Sequence, residues 1–339
     1  MNIPAPEIID PASVPSLKWG VIGPGGIANT FVAAVNKHTK QQIAAVASKT
    51  AGRADKFASD HNIARVHASY EDLVADDSLD AIYIASWQVA HYEHAMLALN
   101  AGKHVLIEKP IALLPEHATE IFALAEQKGL LAMEAMWTRY LPQSTVIRKL
   151  IEAGDLGAPQ LFTGTFAADN RHIERLWTKG GGGIVYDMGI YPIAMAQQFM
   201  GNPSSIAASG SVDENLMDQE SFAVMDYDHG GRSIVTTSGI ATVPTVASCS
   251  YENGVVVIDE PFFVPSGIKL RDKELYFSEV SWADDSPIRG HEGLSYQATW
   301  FAHYVEQGRS DSAVHTAADT IANIAVAHEI TEQLGAKPF

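Results

Sequence analysis

The chain has 339 residues, of which 40 are acidic and 23 are Lys or Arg, for a formal net charge of −17, and 47% of its residues are hydrophobic. This length and apolar fraction are typical of a globular protein of about two domains and argue against a disordered chain. The acidic balance, without any block of basic residues, argues against nucleic acid or a membrane surface as a partner. A single Cys excludes an intrachain disulfide, and the start of the chain has no basic leader before an apolar run, so we expect a cytoplasmic protein.

Residues 1–16 carry four prolines and no periodicity. They predict an extended arm, either free or laid over a partner subunit. From residue 17 to residue 140, short apolar runs alternate with amphipathic stretches. The runs predict strands at Leu17–Ile22, Ile43–Ala47, Ala81–Ala85, His104–Ile107 and Leu130–Met133. The stretches predict helices at Ile27–Val35, Arg53–His61, His91–Ala101 and Pro115–Lys128. This alternation predicts a first domain built on a parallel, doubly wound sheet.

The pattern of apolar residues changes after Tyr140. A helix is predicted at Gln143–Ala153, and most of 158–282 consists of alternating runs such as 233–237, separated by turn signals at 228–231 and 252–254. Helices at Leu294–Gln307 and Ala317–Leu334 are predicted to finish the chain. We therefore expect a second domain, 141–339, with a mainly antiparallel sheet.

A glycine-rich turn follows the first predicted strand. Gly23, Gly25 and Ala28 fit the pattern G-x-G-x-x-A, with Gly26 and Ile27 between them. In a strand–turn–helix context this pattern binds a pyrophosphate, because the backbone approaches the ligand closely and the helix presents free N–H groups. An ordinary glycine-rich turn is the alternative interpretation.

The end of the second strand carries the signal for the cofactor. Ser48, Lys49 and Arg53 follow it, and no acidic residue appears before Asp55. An acid at this point would bind the ribose hydroxyls of NAD and repel a 2′-phosphate, whereas these three side chains would donate to one. The sequence thus favours NADP(H) over NAD(H), unless Lys49 and Arg53 are merely solvated surface residues.

Three further residues indicate chemistry. Lys109 follows the strand His104–Ile107 directly, and residues just past the carboxyl ends of parallel strands face the ligand crevice. Asp187 and Tyr191 follow a run of four glycines, and their spacing of four places them on one face if the segment is helical.

The motifs G-x-G-x-x-A, A-G-K-H-V-x-x-E-K-P and G-G-G-x-x-x-D-x-G-x-Y-P together resemble the glucose–fructose oxidoreductase, inositol dehydrogenase and MocA family, from Leu17 to Leu334. The segment 133–142 resembles the subgroup of dimeric dihydrodiol dehydrogenase and NADP-dependent D-xylose dehydrogenase. The resemblance implies an N-terminal NAD(P)-binding Rossmann fold and an α+β domain with a large, mostly antiparallel open sheet. It also implies hydride transfer to or from a sugar, polyol or cyclic diol, and a homodimer or homotetramer formed through the second sheet.

The resemblance assigns roles residue by residue. Lys109 matches the catalytic lysine, Tyr191 the general acid/base and Asp187 the acid that orients the substrate. A tyrosine holds its proton at neutral pH, and a lysine ammonium nearby would favour the phenolate, so Lys109 would assist Tyr191. The full set of expected cofactor contacts is the glycine-rich turn, Ser48, Lys49, Arg53, Ser86, His91, Glu108 and Lys109.

This chain departs from the family pattern at one place, where Ser86-Trp87-Gln88-Val89-Ala90-His91 stands for S/T-P-N-x-x-H. Gln88 would replace the usual Asn amide, and Trp87 replaces Pro at the wall beside the nicotinamide. By subgroup analogy, Trp137 and Arg139 shape the substrate pocket, and Asn170 and His172 reach substrate hydroxyls from a polar loop.

The sequence leaves two other classes of function open. One is a redox-neutral glycoside hydrolase that keeps a bound nicotinamide, and the other is a non-catalytic NADP-binding regulator. A metal site at His91 and His94 is disfavoured, because no further ligand cluster accompanies them.

Overall fold

The computed structural model describes residues 2–273 and 278–339; residues 274–277, which fall within the predicted antiparallel region, lie outside the described residues. The strands are β1 Lys18–Ile22, β2 Gln42–Ala47, β3 Arg65–His67, β4 Ala81–Ile84, β5 His104–Glu108, β6 Ala132–Ala135, β7 Pro159–Ala167, β8 Ser205–Val212, β9 Asp218–Asp226, β10 Arg232–Ser238, β11 Ala247–Tyr251, β12 Gly254–Ile258, β13 Gly267–Asp272 and β14 Glu279–Ala283. The helices are α1 Gly26–His38, α2 Arg53–His61, α3 Tyr70–Val74, α4 His91–Asn100, α5 Pro115–Lys128, α6 Pro142–Ala153, α7 Ile190–Met200, α8 Leu294–Glu306 and α9 Ala317–Leu334. Among the described residues, no helix is long and apolar enough to cross a membrane.

The first sheet confirms the predicted parallel, doubly wound architecture. Its order among the described residues is β3-β2-β1-β4-β5-β6, with every neighbouring pair parallel. The strand order reverses between β1 and β4, which is where such sheets bind ligands. The sequence interpretation missed β3 and α3, because the three-residue β3 carries no apolar run, and it placed β6 two residues too early.

The second sheet confirms the predicted mostly antiparallel arrangement. Its order is β14-β13-β12-β11-β7-β10-β9-β8 in the described part of the chain, and β7 and β10 are its parallel pair. One face is buried beneath α7 through residues such as Phe162, Ala223 and Val235, while Leu161 and Ile234 on the opposite face are exposed.

Two compact units make up the chain. One contains the start of the chain to Ile8, then Leu141–Pro287 and Ala322–Phe339; the other contains Ile9–Tyr140 and Ile288–Ile321. The units do not follow the chain order, because α8 belongs with the parallel sheet: the ring of Phe301 lies 4.6 Å from that of Trp19, and both are fully buried.

The predicted arm has no helix or strand at residues 2–10, forms a turn at residues 11–14, and contacts its own chain. The Glu7 carboxylate forms an ion pair with Arg148 of α6, and the backbone N–H of Glu7 donates to Thr145 Oγ1 at 2.9 Å. Lys149 Nζ donates to the carbonyl of Ala5 at 2.9 Å. From Ile9 onward the arm belongs to the unit that holds the parallel sheet.

Candidate active site

The glycine-rich turn between β1 and α1 has the backbone geometry of a phosphate cradle. Gly23 has φ = +80°, and a Cβ at this residue would lie 2.7 Å from the backbone of Ser86. A Cβ on Gly26 would meet no atom within 4 Å, so open space lies over the turn. Among the described residues no side chain caps the start of α1, whose N–H groups are left for a ligand anion.

This turn continues into a cavity of about 280 Å³. Its lining brings together residues that are far apart in the sequence: Gly23, Pro24, Gly25, Ser48, Lys49, Thr50, Arg53, Tyr70, Ala85, Ser86, Trp87, Ala90 and His94. No Asp or Glu belongs to this described lining. The predicted phosphate turn and the predicted cationic specificity residues therefore share one site, and the residues present fit an anionic dinucleotide.

Two aromatic residues form part of the cavity wall beside the cations. Lys49 Nζ lies 5.4 Å from the ring centroid of Tyr70, and the Tyr70 ring packs edge-on against His94 at 4.7 Å. His94 Nδ1 is 2.8 Å from Ser86 Oγ. Burial, followed by the nearby charge of Lys49, lowers the pKa of His94 to about 4. His94 is therefore a neutral imidazole at physiological pH. No group of three metal-binding side chains is found in the described parts of the chain.

Two buried acids hold the backbone around Lys109 at the end of β5. Glu108 accepts a hydrogen bond from Tyr83 Oη at 2.6 Å, and burial raises the pKa of Glu108 to about 7. Glu134, on β6, accepts from the backbone N–H of Ile111 at 2.8 Å. Glu108 Oε2 also accepts from the backbone N–H of Lys109 at 3.3 Å, so both buried acids fix the backbone near Lys109. The Glu108 side chain faces the core rather than solvent.

His91 ties this loop to the one after β4. Its ring is 1% exposed, with Nδ1 lying 2.7 Å from the carbonyl oxygen of Pro110 and Nε2 lying 3.0 Å from that of Ser86. Burial lowers the pKa of His91. The structure places Ser86 in the cavity and His91 behind it, and the predicted cofactor contact of His91 stays a prediction.

A second buried histidine supports Glu134. His315 Nε2 lies 2.9 Å from Glu134 Oε2, and both side chains are fully buried. The segment that carries His315 is also fixed by Ser312, whose Oγ accepts from the backbone N–H of His315 at 3.0 Å and from Tyr140 Oη at 2.9 Å. No sequence signal connected residues 134 and 315, because 181 positions separate them.

The other unit carries Asp187 and Tyr191 on one continuous segment. Asp187 lies in a π-helical turn, Val185–Gly189, and Tyr191 lies in the first turn of α7. Single π-helical turns within helices are frequent at functional sites. Arg175 Nη2 donates to Asp187 Oδ1 at 2.9 Å, and Arg175 Nη1 donates to the carbonyl of Gly181 at 3.0 Å. Arg175, which the sequence interpretation did not single out, therefore orients the Asp187 carboxylate.

The start of this segment is held by a buried acid from β9. Asp218 is 0% exposed, and its Oδ2 accepts from the backbone N–H groups of Ile184 at 2.8 Å and Val185 at 2.6 Å. Gly183 has φ = +71°, and a Cβ there would lie 2.0 Å from Asp218 Oδ1. Burial raises the pKa of Asp218 to about 6. The glycine run is thus required for the acid to reach the helix start.

Tyr191 lies against an aromatic cluster. Its ring is 5.5 Å from that of Phe166 and 6.1 Å from that of Phe263, and these two phenylalanines stack on each other at 4.7 Å. Tyr191 is 9% exposed. Asn170 Nδ2 lies 3.1 Å from Met188 Sδ, so its amide is close to the Asp187 turn.

The remaining predicted substrate residues lie in different surroundings. His172 is exposed, next to an ion pair between Asp169 and Arg171. Trp137 is buried and stacks on His291, with ring centroids 5.5 Å apart. Arg139 is buried, and its Nη2 donates to the carbonyl of Val314 at 3.3 Å. Their predicted role toward substrate stays a prediction.

Comparison with known proteins gives two family matches. Residues 17–136 match the oxidoreductase family with an NAD-binding Rossmann fold, GFO_IDH_MocA, and residues 145–257 match the GFO/IDH/MocA C-terminal domain. The chain is 28% identical to trans-1,2-dihydrobenzene-1,2-diol dehydrogenase of Xenopus tropicalis, over 94% of this chain and 98% of that protein. It is 27% identical to scyllo-inositol 2-dehydrogenase (NADP(+)) IolU of Bacillus subtilis, over 94% of this chain and 97% of that protein.

Solved structures show the same fold. Levoglucosan dehydrogenase in complex with NADH and levoglucosan superposes with a TM-score of 0.84 at 19% identity, over 95% of this chain and 98% of that one. The 3-ketoreductase KijD10 from Actinomadura kijaniata, in complex with NADP and TDP-benzene, superposes with a TM-score of 0.79 at 22% identity, over 94% and 98%.

Proposed function

The chain belongs to the GFO/IDH/MocA family of oxidoreductases, and on this premise we propose that it transfers a hydride between NADP(H) and a carbinol or hemiacetal carbon of a sugar, polyol or cyclic diol. The observation that carries the proposal is the cavity in which the phosphate turn meets Lys49 and Arg53. The substrate class is supported by relatives whose names specify a dihydrobenzenediol and an inositol, both cyclic compounds with neighbouring hydroxyl groups.

The proposed cofactor assignment follows from the charges of the cavity. The Gly23–Gly26 turn and the free start of α1 would hold the pyrophosphate, while Ser48, Lys49 and Arg53 would hold the 2′-phosphate. Although the net charge of the chain is −17, Lys49 and Arg53 make this cavity locally positive, and it would therefore attract an anion. The NADP(+) in the name of the Bacillus subtilis relative also supports NADP(H) over NAD(H).

We infer that Tyr191 is the general acid/base and that Lys109 assists it. A bound nicotinamide supplies the site that accepts or donates the hydride. Oxidation of an alcohol also requires removal of its hydroxyl proton, and the Tyr191 oxygen would take that proton or return it in the reverse direction. Asp187, held by Arg175, would accept a hydrogen bond from a substrate hydroxyl and orient the reacting carbon.

The test is a panel of aldoses, inositols and trans-dihydrodiols with NADP⁺, followed by NADPH absorbance. We expect Tyr191→Phe and Lys109→Met each to lower kcat by at least about 100-fold while NADPH binding, measured by titration calorimetry, is retained. Tyr92→Phe is the matched control, since Tyr92 pairs with Glu120 on the outer helices and is expected to leave kcat unchanged.

Three results would contradict the proposal. Full turnover by the Tyr191→Phe, Lys109→Met double variant would refute the two assigned roles. Release of sugar without net NADPH formation would favour the glycoside hydrolase. Binding of NADPH with no turnover across the panel would favour the regulator.

We also propose that the chain forms a homodimer or homotetramer through the second sheet. The sheet face opposite α7 exposes neighbouring apolar side chains on β7, β9 and β10: Leu161, Phe222, Val224 and Ile234. Val224 and Ile234 are directly paired across β9 and β10. A contiguous apolar surface of this kind marks an interface. Sedimentation velocity should show an oligomer that Ile234→Lys dissociates; a monomeric wild-type protein would refute the assignment.

A further inference from the structure

We propose that residues 336–339, which follow α9, form a clasp that positions Asp187 toward the substrate. The inference rests on the proposed function, because it takes Asp187 as the group that orients the reacting carbon. All of the residues involved lie in the compact unit that contains the antiparallel sheet. The clasp contacts three separate elements of that unit: the glycine run 180–183, the turn at 213–217 and the helical turn that carries Asp187.

The end of α9 sets the direction in which the clasp leaves the helix. Gly335 has φ = +69°, and its N–H donates to the carbonyl of Glu332 at 3.0 Å. The N–H of Ala336 donates to the carbonyl of Thr331 at 3.2 Å. These two bonds are those of a Schellman motif, in which a left-handed glycine ends a helix. Ala336 is 3% exposed, so this ending turns the chain onto the protein rather than into solvent.

The clasp then makes two backbone hydrogen bonds to loops of the same unit. The N–H of Lys337 donates to the carbonyl of Leu216 at 2.7 Å, and the carbonyl of Pro338 accepts from the N–H of Gly180 at 2.7 Å. Ala336 and Pro338 are buried, whereas Lys337 between them is exposed. This alternation is that of an extended segment with one face packed on the protein.

Gly180 links the clasp to the arginine that orients Asp187. A Cβ on the next residue, Gly181, would lie 1.9 Å from the carbonyl oxygen of Arg175, so the glycine run and Arg175 are in close contact. Arg175 Nη1 donates to the carbonyl of Gly181 at 3.0 Å, and Nη2 donates to Asp187 Oδ1 at 2.9 Å. A displacement of Gly180 is therefore transmitted through Arg175 to the Asp187 carboxylate.

The clasp reaches the same segment by two further contacts. The ring of Phe339 packs edge-on against that of Tyr186, with ring centroids 6.5 Å apart, and Tyr186 directly precedes Asp187. Leu216, which accepts the bond from the clasp, lies two residues before Asp218. The Asp218 carboxylate in turn holds the backbone at the start of the segment.

The glycines explain why this part of the molecule requires a clasp. Gly180, Gly182 and Gly183 all have positive φ. A run of four glycines has great conformational freedom when unfolded and no side chains that could pack. Bonds from neighbouring elements must therefore fix its shape, and the carbonyl of Pro338 supplies one at its first residue.

Pro338→Glu in the full chain tests the clasp, because it places a charge at a buried position and disrupts the docking of 336–339. We expect it to lower kcat/KM by about tenfold or more, measured with whichever aldose, inositol or trans-dihydrodiol the wild type turns over fastest. NADPH affinity should be unchanged, since the cofactor cavity belongs to the other unit. Pro338→Ala should retain most of the activity, and Lys337→Glu, which adds the same carboxylate at an exposed neighbour, is the matched control.

Hydrogen exchange followed by mass spectrometry gives a readout that does not depend on turnover. In Pro338→Glu, peptides that cover 180–186 should exchange at least about tenfold faster than in the wild type, while peptides of β10 keep their protection. Phe339→Ala, a milder change, should accelerate exchange in 180–186 by about threefold and keeps the test open if Pro338→Glu does not fold. In an Arg175→Leu background, Pro338→Glu should cause no further loss of kcat/KM.

Unchanged exchange in 180–186 for both variants would overturn the inference, and so would an unchanged kcat/KM in a folded Pro338→Glu. Full additivity with Arg175→Leu would also overturn it, because the effect would then bypass Arg175. Failure of the proposed function has a different signature. In that case the wild type turns over no substrate of the panel, and faster exchange in 180–186 would still support the clasp.

Discussion

Replacing Asp218 by Asn tests how the segment that carries Asp187 and Tyr191 is held. The Asp218 carboxylate is buried, accepts two backbone N–H groups at the start of the segment, and has its pKa raised by burial from an ordinary 3.8 to about 6. Asn keeps a carbonyl oxygen for the two N–H groups and removes the charge. The variant therefore separates the capping role of Asp218 from the free energy that its buried charge costs.

The sign and size of the effect follow from this shift. Between pH 4 and pH 6 the folded state retains the Asp218 proton that the unfolded state has released, so the contribution of this residue to stability falls as the pH rises. Well above pH 6, where Asp218 is ionised in both states, its raised pKa lowers the free energy of unfolding by about 3 kcal/mol relative to low pH. Because Asn does not titrate, the stability of Asp218→Asn relative to the wild type should increase by about 2 kcal/mol from pH 4 to pH 7.

Urea unfolding of both proteins at a series of pH values, followed by circular dichroism, measures this difference. Asp226→Asn is the control. The hydrogen bond from Arg232 lowers the pKa of Asp226, so that carboxylate is ionised in both states above pH 4.5 and its difference curve should be flat there. A flat or falling difference curve for Asp218→Asn would refute the reasoning.

Asp218 also has a predicted effect on activity. Asp218→Ala leaves the N–H groups of Ile184 and Val185 without an acceptor, so the turn that carries Asp187 should shift. Misplacement of a group that orients the substrate, the role proposed for Asp187, by about 1 Å costs about 100-fold in rate, and we expect a fall of that order in kcat. Asp218→Asn should retain most of the activity; equal losses in the two variants would show that the charge, rather than the cap, is required.

Three further predictions concern stability and cofactor choice. Gly183→Ala should cost at least about 2 kcal/mol more than Gly201→Ala in urea unfolding, because both glycines have positive φ but only a Cβ on Gly183 would strike Asp218; equal costs would contradict this. His315→Leu should lower the free energy of unfolding by about 2 kcal/mol or more, because it leaves the buried Glu134 carboxylate without this partner. The His315→Leu, Glu134→Leu double variant should lose less stability than the sum of the two single variants. Strict additivity in this double-mutant cycle would show that the pair is not coupled. Lys49→Ala should reduce the ratio of NADPH to NADH affinity by about tenfold or more, and an unchanged ratio would refute the 2′-phosphate assignment.

Much of the fold was predictable because its signals are local. The turn at Gly23 and Gly25 lies between an apolar run and an amphipathic run, and each depends only on neighbouring residues. The confirmed parallel sheet was predicted from short apolar runs that alternate with stretches of helical period, 3.6 residues. The confirmed antiparallel sheet was predicted from runs with a period of 2. The edge strand β3 escaped prediction because Arg65-Val66-His67 has neither length nor an apolar run.

The membership of the compact units was not predictable on the same basis. The sequence places α8 after the antiparallel strands, yet Phe301 packs on Trp19 of β1. No local pattern encodes which of two apolar sheets an amphipathic helix will cover, because either one would bury its apolar face.

The amino-acid sequence by itself determined the residue types of the candidate site: the phosphate turn, the cations Lys49 and Arg53, and the segment with Asp187 and Tyr191. Each of these is a short motif whose chemistry is carried by adjacent residues. Only the tertiary structure decided which groups support them, namely Asp218 beneath the helix start, His315 behind Glu134, and His94 beside Ser86. Those groups act through burial and hydrogen bonds that form when separate elements pack together, and neither burial nor a hydrogen-bond partner distant along the chain is written in a local pattern.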